Sequence, residues 1–345
     1  MSIVGGVFSE TVLKNIQIKA DEIWQDRIQK QDQLGDVETI KALKENQTAK
    51  ITPIEGRKDV DVEISWVNAC DVDDRECNAC SMPYTELSTN RETYSLDICR
   101  EAGFRVNDND LRDNVHDPEE LVAEGLLASD RVLCEYLNIQ AINWLNANKG
   151  VNAVTVGKGV VVGNDTFVPA HLWDAGLLAY FKRCAILNRF LDPYLISGNQ
   201  LFESRWNSEK DAGNADGKGD LAKFLTFKNY FDLAVIDTVN TPDLVTYMLS
   251  KGAFAMANKT YFGPGITKYM DRHVWSVPSK YVPGLSFDVE YMNACDSCYT
   301  GNKTALQAHA FKLVMNAGLF LNPLGCTETR TGILTFICGT GENVQ

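Results

Sequence analysis

Between Asp117 and Gly150 the sequence commits to one uninterrupted helix, and a rod of that length limits what the rest of the chain can become. Asp117-Pro118-Glu119-Glu120 supplies an N-cap, a proline at the first helical position and acidic side chains in the first turn. Val122, Leu126, Ser129, Leu133, Leu137, Ala141, Trp144 and Leu145 follow at three- and four-residue steps, and Asn148-Lys149-Gly150 is a stop. At the usual rise per residue, the helix from Asp117 to Asn148 is on the order of 45 Å long, more than a globular helix needs. Such a helix serves as a spine.

The segment before it carries two other signatures. From Glu10 to Lys44 the apolar residues Val12, Ile16, Ile23, Ile28, Leu34, Ile40 and Leu43 are spaced too loosely for a continuous buried face, so this stretch reads as an arm that gains order by lying on something else. From Lys50 to Val106 the period changes to two. Val60, Val62 and Ile64 alternate with Asp61, Glu63 and Ser65, and Tyr94, Leu96 and Ile98 alternate with Ser95 and Asp97. The two strands imply a projecting hairpin with Cys70 to Pro83 at its tip. A two-stranded ribbon is marginal in water and is expected to pack on another surface or another copy.

Beyond the spine comes a glycine-punctuated apolar stretch from Val154 to Gly163, of which Gly157 to Gly163 reads as a strand with glycine-allowed bends. A second helix is expected from His171 to about Phe190, burying Leu177, Phe181, Cys184 and Leu187. The small and charged residues from Asn207 to Asp220 form a surface loop. Phe224 to Ile236 reads as strand. Thr241-Pro242-Asp243 predicts a helix cap, followed by Val245, Met248, Leu249, Gly252 and Met256 at helical steps. A further helix is expected from Thr304 to Leu321 with Leu306, Ala310, Leu313 and Ala317 on one side, and a buried strand from Ile333 to Cys338. The class is α+β, without the regular strand-helix alternation of a doubly wound enzyme and without an internal repeat.

A chain of 345 residues with 45% hydrophobic and 23% charged positions is globular material. The formal charge of −13 disfavours a general nucleic-acid binder, because that excess repels phosphate backbones. A protein with this surface beside DNA encloses it rather than reads it. No apolar run approaches the roughly 18–20 residues of a membrane span, and the N-terminus lacks a secretory signal. The ten cysteines are therefore expected as thiols in a reducing compartment, and the Asn-x-Ser/Thr matches at Asn46, Asn164, Asn258 and Asn302 are not glycosylation sites.

The sharpest chemical motif is a pair of Cys-x-x-Cys sequences, Cys77-Asn78-Ala79-Cys80 and Cys295-Asp296-Ser297-Cys298, with Cys70 beside the first. Four thiolates can close a tetrahedral zinc site if the hairpin tip meets the second motif within a subunit or across neighbours. The competing readings are a redox or crosslinking pair, and plain reduced thiols with no cofactor; the default is the last. Gly157 to Gly163 lacks the dinucleotide-binding spacing, and Gly301-Asn302-Lys303-Thr304 lacks the upstream glycine of a phosphate loop. His116, His171, His273 and His309 form no metal-binding pair, and no Gly-x-Ser-x-Gly elbow occurs. Asp71, Asp73, Asp74 and Glu76 lack a calcium loop and read as a solvated acidic tip. No catalytic constellation stands out.

Taken together, the order and type of elements resemble the HK97-fold major capsid proteins of tailed bacteriophages. The resembling layout is an N-terminal arm (1–49), an extended hairpin or E-loop (50–110), a peripheral domain with the spine helix (111–236), an axial domain (237–327) and a return strand of the peripheral domain (328–345). Phe190-Leu191-Asp192-Pro193-Tyr194-Leu195-Ile196-Ser197-Gly198 and Thr246-Tyr247-Met248-Leu249-Ser250-Lys251-Gly252-Ala253 look like stretches of this class, particularly in phages of Bacteroidetes-type hosts. The resemblance implies self-assembly into pentamers and hexamers of an icosahedral shell around double-stranded DNA. It also implies portal, scaffold and decoration or head-completion partners, and a place in the virion after assembly in host cytoplasm. It transfers no crosslinking residues. The alternatives are a thiol- or zinc-dependent enzyme using Cys77, Cys80, Cys295 and Cys298, and an encapsulin-type compartment shell.

Overall fold

The computed structural model describes residues 8–29, 37–54, 61–67, 89–107, 117–154, 156–173, 176–198, 201, 227–232, 245–295, 307–322 and 331–339. The fold is α+β. The chain divides into two compact units, the first made of Met1–Leu34, Ser95–Leu137 and Asn258–Gly318, the second of Gly35–Tyr94, Asn138–Ala257 and Leu319–Gln345. These units cut across the segments expected from the sequence, because the chain enters and leaves each of them more than once.

The spine is present as the longest helix, α3 (Pro118–Ala147, 30 residues), whose residues to Leu137 belong to the first unit and whose remainder belongs to the second. Its start follows the sequence logic. The Asp117 carbonyl accepts the Leu121 amide at 3.0 Å, and its carboxylate lies 3.4 Å from the Glu119 amide. At the other end the Asn148 side chain donates to the Trp144 carbonyl at 2.9 Å, closing the last turn.

In the first unit, β4 (Ile98–Asn107), β14 (Gln307–Leu321), β13 (Ser286–Cys295), β12 (Arg272–Pro278) and β11 (Thr267–Tyr269) lie side by side in that order, each antiparallel to the next. Register places Phe104, Phe311, Tyr291 and His273 opposite one another across four strands. Their rings form a continuous row, with centroids at 5.2, 4.9 and 5.9 Å. Such cross-strand pairs are what fixes a register.

The N-terminal segment departs from its expected reading. It forms α1 (Glu10–Gln29) and, in the second unit, α2 (Glu38–Asn46). Leu13, Ile16, Ala20 and Trp24 are buried at three- and four-residue steps, so α1 has the continuous face that a count of branched aliphatics alone misses. Trp24 packs on Tyr281 with centroids 4.6 Å apart. The arm lies on its own chain.

β14 was expected as a helix and is a 15-residue strand. Ala310, Leu313 and Ala317 do fall at helical steps, but His309, Phe311, Leu313, Met315 and Ala317 fall at period two, and all five are buried. With β13 on one side and β4 on the other, the strand satisfies its backbone across both edges.

The second unit holds a mixed sheet of β5 (Val160–Val162), β6 (Asp165–Val168), β15 (Ile333–Cys338), β9 (Val245–Leu249), β7 (Tyr194–Ser197) and β8 (Lys228–Phe231), in that order. β15 is parallel to β6 and antiparallel to β9, so the expected last strand sits inside the sheet. The predicted helix after Thr241-Pro242-Asp243 is instead β9 and β10 (Phe254–Asn258), turning at Gly252 with φ of 76°. Every residue of β9 is buried. A short run apolar on both faces carries no period that separates strand from helix.

The second expected helix is shorter than predicted: a 3-10 turn (Ala170–Leu172) precedes α4 (Gly176–Leu187). Leu177, Phe181 and Cys184 face the core as expected, whereas Leu187 is exposed and Tyr180 and Ala185 take part instead. Phe181 meets Phe336 of β15 with centroids 4.5 Å apart. Burying each such ring is worth about 1.5–3 kcal/mol. Val160 to Val162 is a strand with glycine bends, as read; Gly157 and Gly163 have φ of 151° and 61°.

The hairpin region forms a separate sheet, β1 (Lys50–Pro53), β2 (Asp61–Val67) and β3 (Thr89–Ser95), with β2 in the middle. Val62, Ile64 and Trp66 are buried, and Tyr94 packs on Phe320 at 4.7 Å between centroids. The base of the ribbon is thus supported by another surface of its own chain, one of the two supports expected for it. Ile98 belongs to β4 rather than to the ribbon. The expected tip, Cys70 to Pro83, and the loop Asn207 to Asp220 lie outside the described residues.

Candidate assembly surfaces and the cysteine motifs

Of the four motif cysteines, Cys77, Cys80 and Cys298 lie outside the described residues, as does Cys70. Cys295 ends β13, where its backbone pairs with Gln307. Among the described residues, no three or more His, Cys, Asp or Glu side chains are arranged to hold a metal ion. The described cysteines outside any disulfide include Cys99, exposed on β4, and the buried Cys134, Cys184 and Cys338. Burial pushes the thiols of Cys184 and Cys338 up, away from the reactive thiolate. Of the acidic tip and the phosphate-loop-like Gly301 to Thr304, nothing falls within the described residues.

The histidines divide by environment. His171 is exposed on the 3-10 turn, His273 is half-buried in the aromatic row, and His309 is fully buried beside Tyr291, whose hydroxyl lies 2.9 Å from Nδ1. His116 lies outside the described residues.

What the surface does show is apolar side chains held out by structured elements. In the first unit the β11–β12 hairpin carries Tyr269 and Met270, the latter 81% exposed at its tip with φ of 57°. All three residues of β11 are exposed, leaving an open strand edge among the described residues. A carboxylate fixes the loop leading into this hairpin. Asp288 accepts the amides of Tyr261 and Phe262 at 2.9 to 3.1 Å, while burial raises its pKa and those two donors pull it back.

In the second unit, Ile186 and Leu187 at the end of α4 and Leu191, 68% exposed, project from one turn. Arg189 and Asp192 hold that turn in the left-handed region, with φ of 57° and 42°. Such strain persists only where its surroundings enforce it. Here the Phe190 amide reaches back to the Ala185 carbonyl at 2.9 Å, and the Ser250 hydroxyl accepts the Leu191 amide at 2.9 Å. Single exposed apolar residues are ordinary; here three are gathered on one enforced turn.

Two buried carboxylates organise the interior. In the first unit Asp130 of α3 accepts the Ser279 hydroxyl and the Lys280 amide, both at 2.7 Å, beside Cys134 at 3.3 Å. Burial raises its pKa against the pull of those donors. It lines a cleft of about 230 Å³ with Gln17, Asp21, Leu126 and Pro278. In the second unit Asp232 accepts the Thr39 amide at 3.0 Å, the Thr39 hydroxyl at 2.7 Å and the Asn138 side chain at 2.6 Å. Neither cluster was visible in the sequence, because an isolated Asp carries no sign of its distant partners.

No family model matches the chain, and no curated protein does. Among solved structures it is similar to a chain of Mycobacterium phage Che8, with 13% identity and a TM-score of 0.42 over 84% of this chain and 92% of that one. It is also similar to the capsid of a native GTA particle, with 9% identity and a TM-score of 0.44 over 88% and 91%. The capsid of cyanophage P-SCSP1u gives 9% identity and a TM-score of 0.44 over 84% and 85%.

Proposed function

We propose that this chain is a shell subunit of the HK97-like type, a major capsid protein that assembles into pentamers and hexamers of an icosahedral phage head around double-stranded DNA. The observation that carries the reading is the order of elements along one polypeptide. Helices α1 and α2 are followed by the β1–β3 ribbon and the 30-residue α3; a mixed sheet then receives the C-terminal strand β15 in its interior. The open edge of β11, the Met270 tip and the enforced Ile186–Leu191 turn supply repeated, partly apolar contacts of the kind that symmetry multiplies. The acidic balance of −13 suits a wall that encloses DNA without gripping it.

In this reading the role is structural, the partners are further copies together with portal, scaffold and decoration or head-completion proteins, and the site of action is the virion after assembly in host cytoplasm. The Cys77/Cys80 and Cys295/Cys298 pairs are read as reduced thiols, with zinc as the alternative. The test is negative-stain microscopy and native mass of the purified full chain, alone and co-expressed with candidate scaffold and portal proteins. Closed particles of uniform diameter are expected. A monodisperse monomer under both conditions overturns the proposal.

A further inference from the structure

We propose that Met270, at the tip of the β11–β12 hairpin, inserts into the cleft that α1, α3 and β12 line in the first unit of a neighbouring copy. The proposal rests on the reading of the chain as a self-assembling subunit, and it names two surfaces that meet.

Met270 is 81% exposed, the most exposed of the described large apolar side chains, and Tyr269 beside it is 58% exposed. Pairing of Thr267–Tyr269 with Arg272–Val274 fixes the chain on both sides of the tip, so little further ordering is needed when it docks. The cleft measures about 230 Å³ and has Leu126, Leu127, Val277 and Leu313 in its wall. An apolar cavity of about 150 Å³ accepts a benzene molecule, so there is room for one large side chain. Asp130, the buried carboxylate of the cleft, already accepts the Ser279 hydroxyl and the Lys280 amide and needs no hydrogen bond from an incoming group. A methionine suits such a place, because its flexible thioether fills an irregular apolar gap.

The charges around the two parts are complementary. Asp21, on the α1 side of the cleft, is 58% exposed and paired with Lys280, just past β12. Beside the tip, Arg272 is held by Glu290 at 2.8 Å, which leaves Lys268, exposed on β11, as the cation for Asp21 and Asp271 as the anion for Lys280. Rim pairs of this kind orient an encounter more than they tighten it.

The tip cannot fill its own cleft. β12 runs from Arg272, next to the tip, to Pro278, at the cleft, and pairs with β13 at every residue between. Its seven residues set the two roughly 20 Å apart. Because tip and cleft are different surfaces, the contact is heterologous: each copy bound leaves a further tip and a further cleft, and copies add in one direction until a ring closes.

The experiment places a diazirine analogue of methionine at Met270 in two preparations of the full chain, one labelled with heavy nitrogen, which are mixed, assembled and irradiated. Cross-links joining a light chain to a heavy one through the Leu126–Asp130 or Ser276–Lys280 peptides are expected. Met270→Asp, a change at an exposed tip outside the core, is expected to raise the concentration needed for association about tenfold or more, while Met270→Leu stays within about threefold of wild type. If the wild type associates but the cross-links fall elsewhere or within one chain, or if Met270→Asp associates like wild type, the docking is overturned and the shell reading stands. A wild-type chain that stays monomeric, alone and with candidate scaffold and portal proteins, removes both.

Discussion

Replacing Asp232 with alanine is expected to loosen α2 from the second unit. The structural reason begins at the helix N-terminus, where the first amides have no partners within the helix. The N-cap position of α2 is Val37, whose side chain cannot accept a hydrogen bond. Distant side chains do the work instead: Asp232 accepts the Thr39 amide at 3.0 Å, and Asn138 Oδ1 of the spine helix accepts the Ile40 amide at 2.9 Å. Asp232 also holds the Asn138 side chain in place at 2.6 Å, so one carboxylate serves both caps. It is fully buried. Each buried donor left without a partner costs about 1–3 kcal/mol. The Thr39 hydroxyl can rotate to another acceptor, leaving two stranded donors and a further loss of about 1 kcal/mol for the cap itself. The expected destabilisation is about 3–7 kcal/mol, a large part of the roughly 5–15 kcal/mol that holds a domain together. Asp232→Asn, which keeps one acceptor oxygen, is expected to lose about 1–2 kcal/mol. Urea titration followed by tryptophan fluorescence, with hydrogen exchange of the α2 peptide, measures both. A loss below about 1 kcal/mol for Asp232→Ala would refute the view that a borrowed cap secures this helix.

Three further outcomes follow from the same contacts. Gly125→Ala would gain about 1 kcal/mol in an ordinary helix interior, but here the added carbon would stand 2.5 Å from the Phe104 ring, which is stacked on Phe311; net destabilisation of about 1–2 kcal/mol is expected in thermal unfolding, and net stabilisation would contradict the packing. The raised pKa of Asp130 means that its stabilising form is the protonated one, fully present below its ordinary value of 3.8 and lost as pH rises through the shifted value; the unfolding free energy of wild type minus that of Asp130→Asn is therefore expected to grow as pH falls from 7 to 4, and a difference of the opposite slope refutes the assignment. Elemental analysis of protein purified without chelator is expected to find zinc well below one ion per chain, whereas stoichiometric zinc lost in a Cys77→Ser/Cys80→Ser variant would establish the metal reading.

How far the sequence could be read depended on whether a local signal had a competitor. The spine helix had none: cap, proline, acidic first turn, period and stop agree, and α3 begins and ends within a residue of the prediction. The strands around Val62 and at Ile333–Cys338 were equally plain. β9 and β14 failed because burial on both faces erases alternation, and because alanines placed at helical steps along β14 coexist with a period-two set on the same residues. α1 was missed as a packed helix because Leu13 was left out of the count and its buried face is completed by Ala20 and Trp24, a small residue and an aromatic outside a pattern of branched aliphatics. Of the candidate sites, the Cys-x-x-Cys motifs were legible as sequence, whereas the Met270 tip was not. No glycine or asparagine marks that positive φ, and what holds it is strand pairing over Thr267 to Tyr269.

The two N-terminal helices are fastened by different physics, and this bears on how each could shift without unfolding. α1 is 20 residues long and buries Leu13, Ile16, Ala20 and Trp24, so its hold is mainly apolar area, at about 1.5–3 kcal/mol for each large side chain. Its ion pairs, Arg27 with Glu124 and Asp21 with Lys280, are half-exposed contacts of the class worth about 0–1 kcal/mol. α2 has nine residues, too few to be helical alone, and depends on Asp232 and Asn138 for its first amides as well as on buried Ile40, Ala42 and Leu43. Apolar area yields gradually as a helix slides or peels, whereas a hydrogen-bonded cap is either made or broken. The first helix is therefore expected to lose its hold in increments, while the second stays seated until its polar cluster is lost as a whole.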